Sequence, residues 1–248
     1  MDRSIKRVTG ARMERSSLSV PNWTIAGLLA AVLPLSFVAA GTSVLPGDVA
    51  TTNALQTHLP GMFEPLIAAA NLLGEAPFLL AIVFVIAASL AFKRHHRAAL
   101  LVAAASLAQG VNWLLKLSME SPRPTSGLVH VSEQSSGFGF PSGHVMGTTV
   151  FALVLFYVVT TLMADGLRRR LVQTGLLLVP LLMGVARVEA GAHWPSDVLG
   201  AWLWGTLAAI AIITVSQWQW NSLSLPAPRA ARSVRSAVAM SNIRRISN

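Results

Sequence analysis

The chain has 248 residues, 53% of them hydrophobic and 12% charged, with a net charge of +9 and no cysteine. That is too apolar for a soluble domain, and it excludes a disulfide framework, a thiol nucleophile and a thiolate metal site. The basic excess does not point to nucleic acid: sixteen of the nineteen lysines and arginines sit in four clusters at the ends of apolar runs or in the tails, with no basic face carrying interleaved aromatics.

Residues 1–22 form a polar tail containing Arg3, Lys6, Arg7, Arg12 and Arg15. The first predicted span, 23–45, is longer than the 7–15 residues of a signal-peptide core. It therefore reads as a retained anchor, although Val38-Ala39-Ala40 has the look of a cleavage site. The next apolar stretch, Gly61 to Gly74, is interrupted by Glu64 and Pro65 and reads as a short interfacial or re-entrant helix, with an odd number of spans as the alternative. Predicted spans follow at 75–92, 98–117, 143–164, 171–189 and 198–217, each near the ~20 residues that cross a bilayer. Pro180 lies inside the fifth span, where a kink is tolerated, and takes no functional role. Residues 218–248 form a second basic tail. The expected fold class is all-α: a polytopic membrane protein whose six-helix bundle runs from residue 23 to 217, with one short interfacial helix.

Six crossings place all four basic clusters on one side of the membrane. These are the N-terminal tail, Lys93 with Arg94 and Arg97, Arg168 to Arg170, and the C-terminal arginines. The positive-inside rule makes that side cytoplasmic. Trp23, Trp218 and Trp220 then fall at cytoplasmic ends and Trp113, Trp194, Trp202 and Trp204 at the opposite ends, all as expected interface anchors. The segments after the third, before the fourth and after the fifth span emerge together on the other face. Lys116, Arg123, Ser142, His144, Arg187, His193 and Asp197 thereby gather at one end of the bundle.

Lys116, Arg123 and Arg187 are the only basic residues outside the clusters. Charges beside membrane helices are retained where they face water, protein or a ligand. Lys116 and Arg123 alone read as a snorkelling pair, but an arginine fork and a lysine point charge also suit phosphate oxygens. Pro141-Ser142-Gly143-His144 opens an apolar helix, with Ser142 placed to cap it and Gly143 permitting close approach. The free first-turn amides form an anion site at which His144 is directed; an ordinary capped helix start is the plain alternative. His193 and Asp197 are four residues apart with Pro195 suited to a first helical position, so Asp197 can accept the ring N–H of His193 and make its other nitrogen a better nucleophile or base. A purely structural His–Asp pair is the alternative there. Three converging cations oppose a divalent metal and favour phosphate, so neither a metal nor a cofactor is expected. Glu120, Glu133, Glu189 and His130 read as solvated residues of the outer loops.

Taken together, Lys116 with Arg123-Pro124, Pro141 to His144, and Arg187 with His193 and Asp197 resemble the type 2 phosphatidic acid phosphatase (PAP2) superfamily over the core from 23 to 217. The resemblance implies an integral membrane hydrolase of the cell membrane acting on a lipid phosphate or diphosphate at the non-cytoplasmic face. Phosphatidic acid, phosphatidylglycerophosphate and polyprenyl diphosphate all fit. It also implies that His193 is the nucleophile, oriented by Asp197, and that His144 protonates the leaving oxygen. Lys116, Arg123 and Arg187, with Ser142 and the Gly143 amide, would hold the phosphoryl oxygens, without metal. A phosphotransferase using the same site and a non-catalytic lipid-phosphate binder or transporter are the alternatives, while the soluble haloperoxidases of the superfamily fit poorly. One departure stands out: the third motif usually begins Ser-Arg, and here it is Ala186-Arg187. The missing hydroxyl removes one candidate donor, and a hydrogen bond to a charged group is worth about 1.5–3 kcal/mol.

Overall fold

Inside a bilayer, backbone amides and carbonyls have no water to bond, so an apolar run long enough to cross must satisfy them internally as a helix. The computed structural model describes residues 20–42, 44–59 and 61–222, with side chains to Gln217. The arginine clusters of both tails and the side chains of Trp218 and Trp220 lie outside the described residues. Among those described, every regular element is helical. The helix α1 (Asn22–Gly41) has 20 residues, about 30 Å at 1.5 Å per residue.

An unexpected helix follows. α2 (Asp48–His58) lies where the sequence carries no apolar stripe and Thr51, Thr52 and Asn53 have weak helix propensity. Contacts at its two ends hold it. Asp48 accepts the Ser196 amide at 3.0 Å and the Ser196 hydroxyl at 2.7 Å, while Gln56 donates to the carbonyls of His130 and Glu189 at 2.7 and 2.8 Å.

After a 3-10 turn at Gly61–Phe63 comes α3 (Glu64–Gly74). The two residues that interrupt its apolar run are the ones that start it: an acid suits the positive end of the helix dipole and a proline the first turn. α4 (Ala76–Phe92) leaves at 73° to α3, with Glu75 at the elbow. The short helix ahead of the second span is thus present. Among the described residues five helical segments are long and apolar enough to cross singly, and the expected six are reached when α3 and α4 together count as one bent span. The third span is α5 (His96–Ala104) and α6 (Leu107–Met119), joined by a turn at Ala105 and Ser106. α7 (Gly143–Leu162), α8 (Leu167–Glu189) and α9 (Pro195–Ser222) complete the chain order. From Ile213 onward the chain belongs to a second unit, helical in its described part.

Within the first unit α7 is central, packing against α3, α4, α5, α6 and α8. Val145, Met146, Val150 and Val154 on it are wholly buried. Trp194 is a correction to the sequence reading: it is 2% exposed and belongs to the core rather than to an interface, whereas Trp23 and Trp113 stay exposed. Trp202 and Trp204 spend their N–H groups inside the protein, on Pro180 O and Ser36 Oγ, both at 3.0 Å. Lys93, Arg94 and Arg97 mark the α4–α5 turn and Arg168 to Arg170 the start of α8. The motif residues sit at the other helix ends: Lys116 late in α6, His144 at the start of α7, Arg187 near the end of α8 and Asp197 at the start of α9.

Candidate active site

The chain leaves α8 through Gly191, whose φ of +63° is a conformation that favours glycine. A Cβ there would also collide with the His130 carbonyl. This turn delivers His193, 2% exposed, to the start of α9. Its Nδ1 lies 3.2 Å from Asp197 Oδ2, the same oxygen that accepts the Trp194 amide at 3.0 Å. Its Nε2 lies 3.1 Å from Arg123 Nη1. A guanidinium has donors only, so Nε2 accepts and Nδ1 carries the proton. The tautomer is therefore set from both sides. Burial, reinforced by the positive charges of Arg123, Lys116 and Arg187, pushes the His193 pKa well below its ordinary 6.5. The imidazole is neutral at neutral pH, with a lone pair on Nε2.

Arg123 follows the end of α6, as its prolines require, and is fixed by Nε donating to Gly137 O and Nη1 to Ala192 O, both at 2.9 Å. Burial lowers its pKa, although a guanidinium stays charged in proteins. Lys116 Nζ donates to Phe138 O at 2.5 Å and Gly139 O at 3.0 Å, tying α6 to the segment that leads into α7. Asn112, one turn earlier on the same face, donates to Pro141 O at 3.1 Å. Gly143 makes room for that side chain: a Cβ on Gly143 would lie 3.0 Å from Asn112 Oδ1.

Ser142 stands at the N-cap position of α7 but makes no side-chain cap bond, contrary to expectation; its hydroxyl is buried without a partner. The Ser142 amide donates to Asp197 O at 3.2 Å, docking the start of α7 onto the start of α9. An unmet buried hydroxyl costs about 1–3 kcal/mol, and beside the first-turn amides it is a donor ready for an anion.

Arg187 is the most enclosed of the three cations. Its Nη1 and Nη2 each donate at 2.8 Å to one oxygen of Glu133, and Nη1 reaches Asn71 Oδ1 at 3.2 Å. Glu133, read from the sequence as a solvated loop residue, is thus a bidentate partner of the buried arginine. The bond from Arg187 holds its carboxyl below the usual range despite partial burial. It stays ionised and fills the fork that two phosphoryl oxygens would use. Glu133→Gln is accordingly expected to lower KM for a lipid monophosphate by up to about tenfold, since a neutral competitor is weaker by about 1.4 kcal/mol, with kcat little changed. A KM that rises instead, in steady-state phosphate release, would make Glu133 a support of Arg187 rather than its competitor.

Ala186, next to Arg187, is wholly buried in the apolar cluster that holds Met146, Met183, Val188, Val198 and Ala201. His144, in the first turn of α7, meets Glu75 Oε1 at 3.4 Å through Nε2. The structure thus gathers all eight motif residues at one end of the bundle. Direct contacts join His193 to Asp197 and Arg123, while Lys116, Arg187 and His144 act on His193 through their charge. A cavity of about 350 Å3 opens beside Arg123, lined also by Thr125, Ser126, Glu133, Ser135 and Ala192. Among the described residues no three histidine, aspartate or glutamate side chains are grouped as metal ligands.

A PAP2 superfamily model matches residues 97–221, just over half of the chain. Phosphatidylglycerophosphatase B of Bacillus subtilis is 32% identical over 138 residues, 54% of this chain and 66% of that one. Human dolichyldiphosphatase 1 is 31% identical over 134 residues, 51% of this chain and 56% of that one. The chain spans about half to two thirds of the length of these relatives. In fold, it matches the crystal structure of a transmembrane PAP2-type phosphatidylglycerolphosphate phosphatase from Bacillus subtilis with a TM-score of 0.68 at 24% identity, over 77% of this chain and 95% of that one. Aquifex aeolicus LpxE matches with a TM-score of 0.55 at 21% identity, over 69% and 98%.

Proposed function

The chain belongs to the PAP2 superfamily and is an integral membrane protein, and from that premise we propose that it hydrolyses a lipid phosphate or diphosphate through a phosphohistidine on His193. One observation carries the reading: a buried, neutral His193 has one nitrogen on Asp197 and offers the other toward Arg123. Phosphoryl oxygens would take Arg123 and Arg187, with Lys116, the Ser142 hydroxyl and the Gly143 amide around them, freeing the Nε2 lone pair. Nε2 then attacks phosphorus as the bond to the leaving oxygen breaks, and His144 supplies the proton that this oxygen needs. In the second half, water attacks phosphorus, His144 takes its proton, and the P–N bond electrons return to His193. Preorganised cations stabilise the charge spread over the transferring group in both halves. The names of the relatives, a phosphatidylglycerophosphatase and a dolichyldiphosphatase, support both a monophosphate and a diphosphate head on a long apolar tail.

The test is inorganic phosphate release by the purified protein from phosphatidylglycerophosphate, phosphatidic acid and a polyprenyl diphosphate, with release expected from at least one. Release from none would overturn the proposal. The site is further proposed to face away from the cytoplasm. Reporters near residue 20, in the 93–97 and 165–170 turns and at the C-terminus should be cytoplasmic, and one near residue 130 outside. A cytoplasmic reporter at 130 would invert the orientation.

A further inference from the structure

The α3–α4 elbow holds the ring of His144 from two directions. A Cβ on Gly74 would fall 2.5 Å from His144 Cδ2 and 2.8 Å from Met183 Sδ, so the ring fits against the backbone there only because residue 74 has no side chain. The next residue, Glu75, sets Oε1 3.4 Å from His144 Nε2. Its own side chain is 53% exposed, and His144 is 22% exposed. α3 and α4 diverge by 73° at this residue. Arg187 on α8 and Glu133 are the other charged groups acting on the ring. Nδ1 of His144 makes no hydrogen bond among the described residues.

Building on the phosphatase reading, we infer that Glu75 is a positioning residue for His144, accepting a hydrogen bond from Nε2–H and leaving Nδ1 to exchange the catalytic proton. The two histidines then carry carboxylates on opposite nitrogens. Asp197 takes Nδ1 of His193 and leaves Nε2 to attack; Glu75 takes Nε2 of His144 and leaves Nδ1 to donate. As the leaving P–O bond breaks, its electron pair takes the Nδ1 proton, and His144 becomes neutral with Nε2–H still on Glu75. In the second half Nδ1 removes a proton from the attacking water and the imidazolium is restored. The long 3.4 Å contact suits a bond that tightens when the ring is charged. A ring left free to rotate would present its proton to the leaving oxygen only part of the time.

The consequence is selective for the leaving group. An alkoxide from a lipid monophosphate needs the proton, whereas an aryl oxide barely does. Glu75→Leu is expected to lower kcat for an alkyl lipid phosphate by about thirtyfold and for p-nitrophenyl phosphate by less than about threefold, with KM for both nearly constant. Glu75→Gln, which keeps an acceptor oxygen, should fall between the parent and Glu75→Leu. In parallel, NMR on 15N-histidine-labelled protein should show the Nε2–H form of neutral His144 in the parent, with the Nε2–H proton resonance moving upfield in Glu75→Leu as its hydrogen bond to the carboxylate is lost. Equal losses on both substrates, or none on either, would overturn the inference, as would a His144 Nε2–H resonance indifferent to residue 75. Absence of any phosphate release from the parent protein with the Nε2–H signature intact would overturn the hydrolytic reading while leaving the Glu75 hydrogen bond supported.

Discussion

His193→Ala is expected to reduce kcat by about four orders of magnitude or more, because it removes the atom that bonds to phosphorus rather than one that assists it. Substrate labelled on the reacting phosphate, quenched within a turnover, should leave an alkali-stable, acid-labile label on the parent protein and none on the variant. His193→Gln serves as the companion variant. His193 is buried between Arg123 and Asp197, and glutamine keeps polar atoms where alanine leaves a void. The parent should also keep its activity as pH falls through the ordinary imidazole range. The depressed pKa of His193 means that the attacking nitrogen is protonated only well below 6.5, so this limb of the kcat/KM profile lies on the acid side. A labelled phosphoenzyme persisting in His193→Ala would remove the residue from the nucleophile's role.

The spans and the motif residues were legible because each is a local pattern: a long uncharged run, or particular side chains at short spacing beside a helix end. His193 and Asp197 needed only four residues and a proline to be read as one unit. What escaped was held by distant partners. Glu133 is 54 residues from Arg187 and Glu75 is 69 from His144, and nothing in the periodicity of either segment links them. α2 is fastened through Asp48 to Ser196, 148 residues away, which no propensity records. Ser142 shows the opposite failure: its position at the helix start was read correctly, but the cap bond is not formed; the Ser142 amide docks onto Asp197 O and the hydroxyl is buried without a partner. Asn112 did leave a trace, as a polar residue four before Lys116 and three after Gln109 on a helix that is otherwise mostly apolar.

Asp197→Asn separates the charge of the carboxylate from its shape. A single oxygen, Oδ2, accepts both the Trp194 amide and the His193 ring, so the asparagine carbonyl can take both bonds in its place. Arg123, a donor on Nε2, independently holds His193 in the Nδ1–H tautomer. The ring should therefore keep its orientation, and thermal stability should stay within a few degrees of the parent. What disappears is a group able to carry negative charge, and that charge is needed when Nε2 bonds to phosphorus and the imidazole becomes cationic among three fixed cations. Loss of one such electrostatic partner costs about 10²–10³ in rate. We expect Asp197→Asn to lower kcat by about that factor with KM nearly unchanged, and Asp197→Ala to lower it further while also destabilising the fold, since the Trp194 amide then lacks its acceptor. Rapid-quench measurement should place the loss in formation of the labelled phosphoenzyme. An Asn variant within tenfold of the parent would show that the His193 cation is stabilised by something other than Asp197.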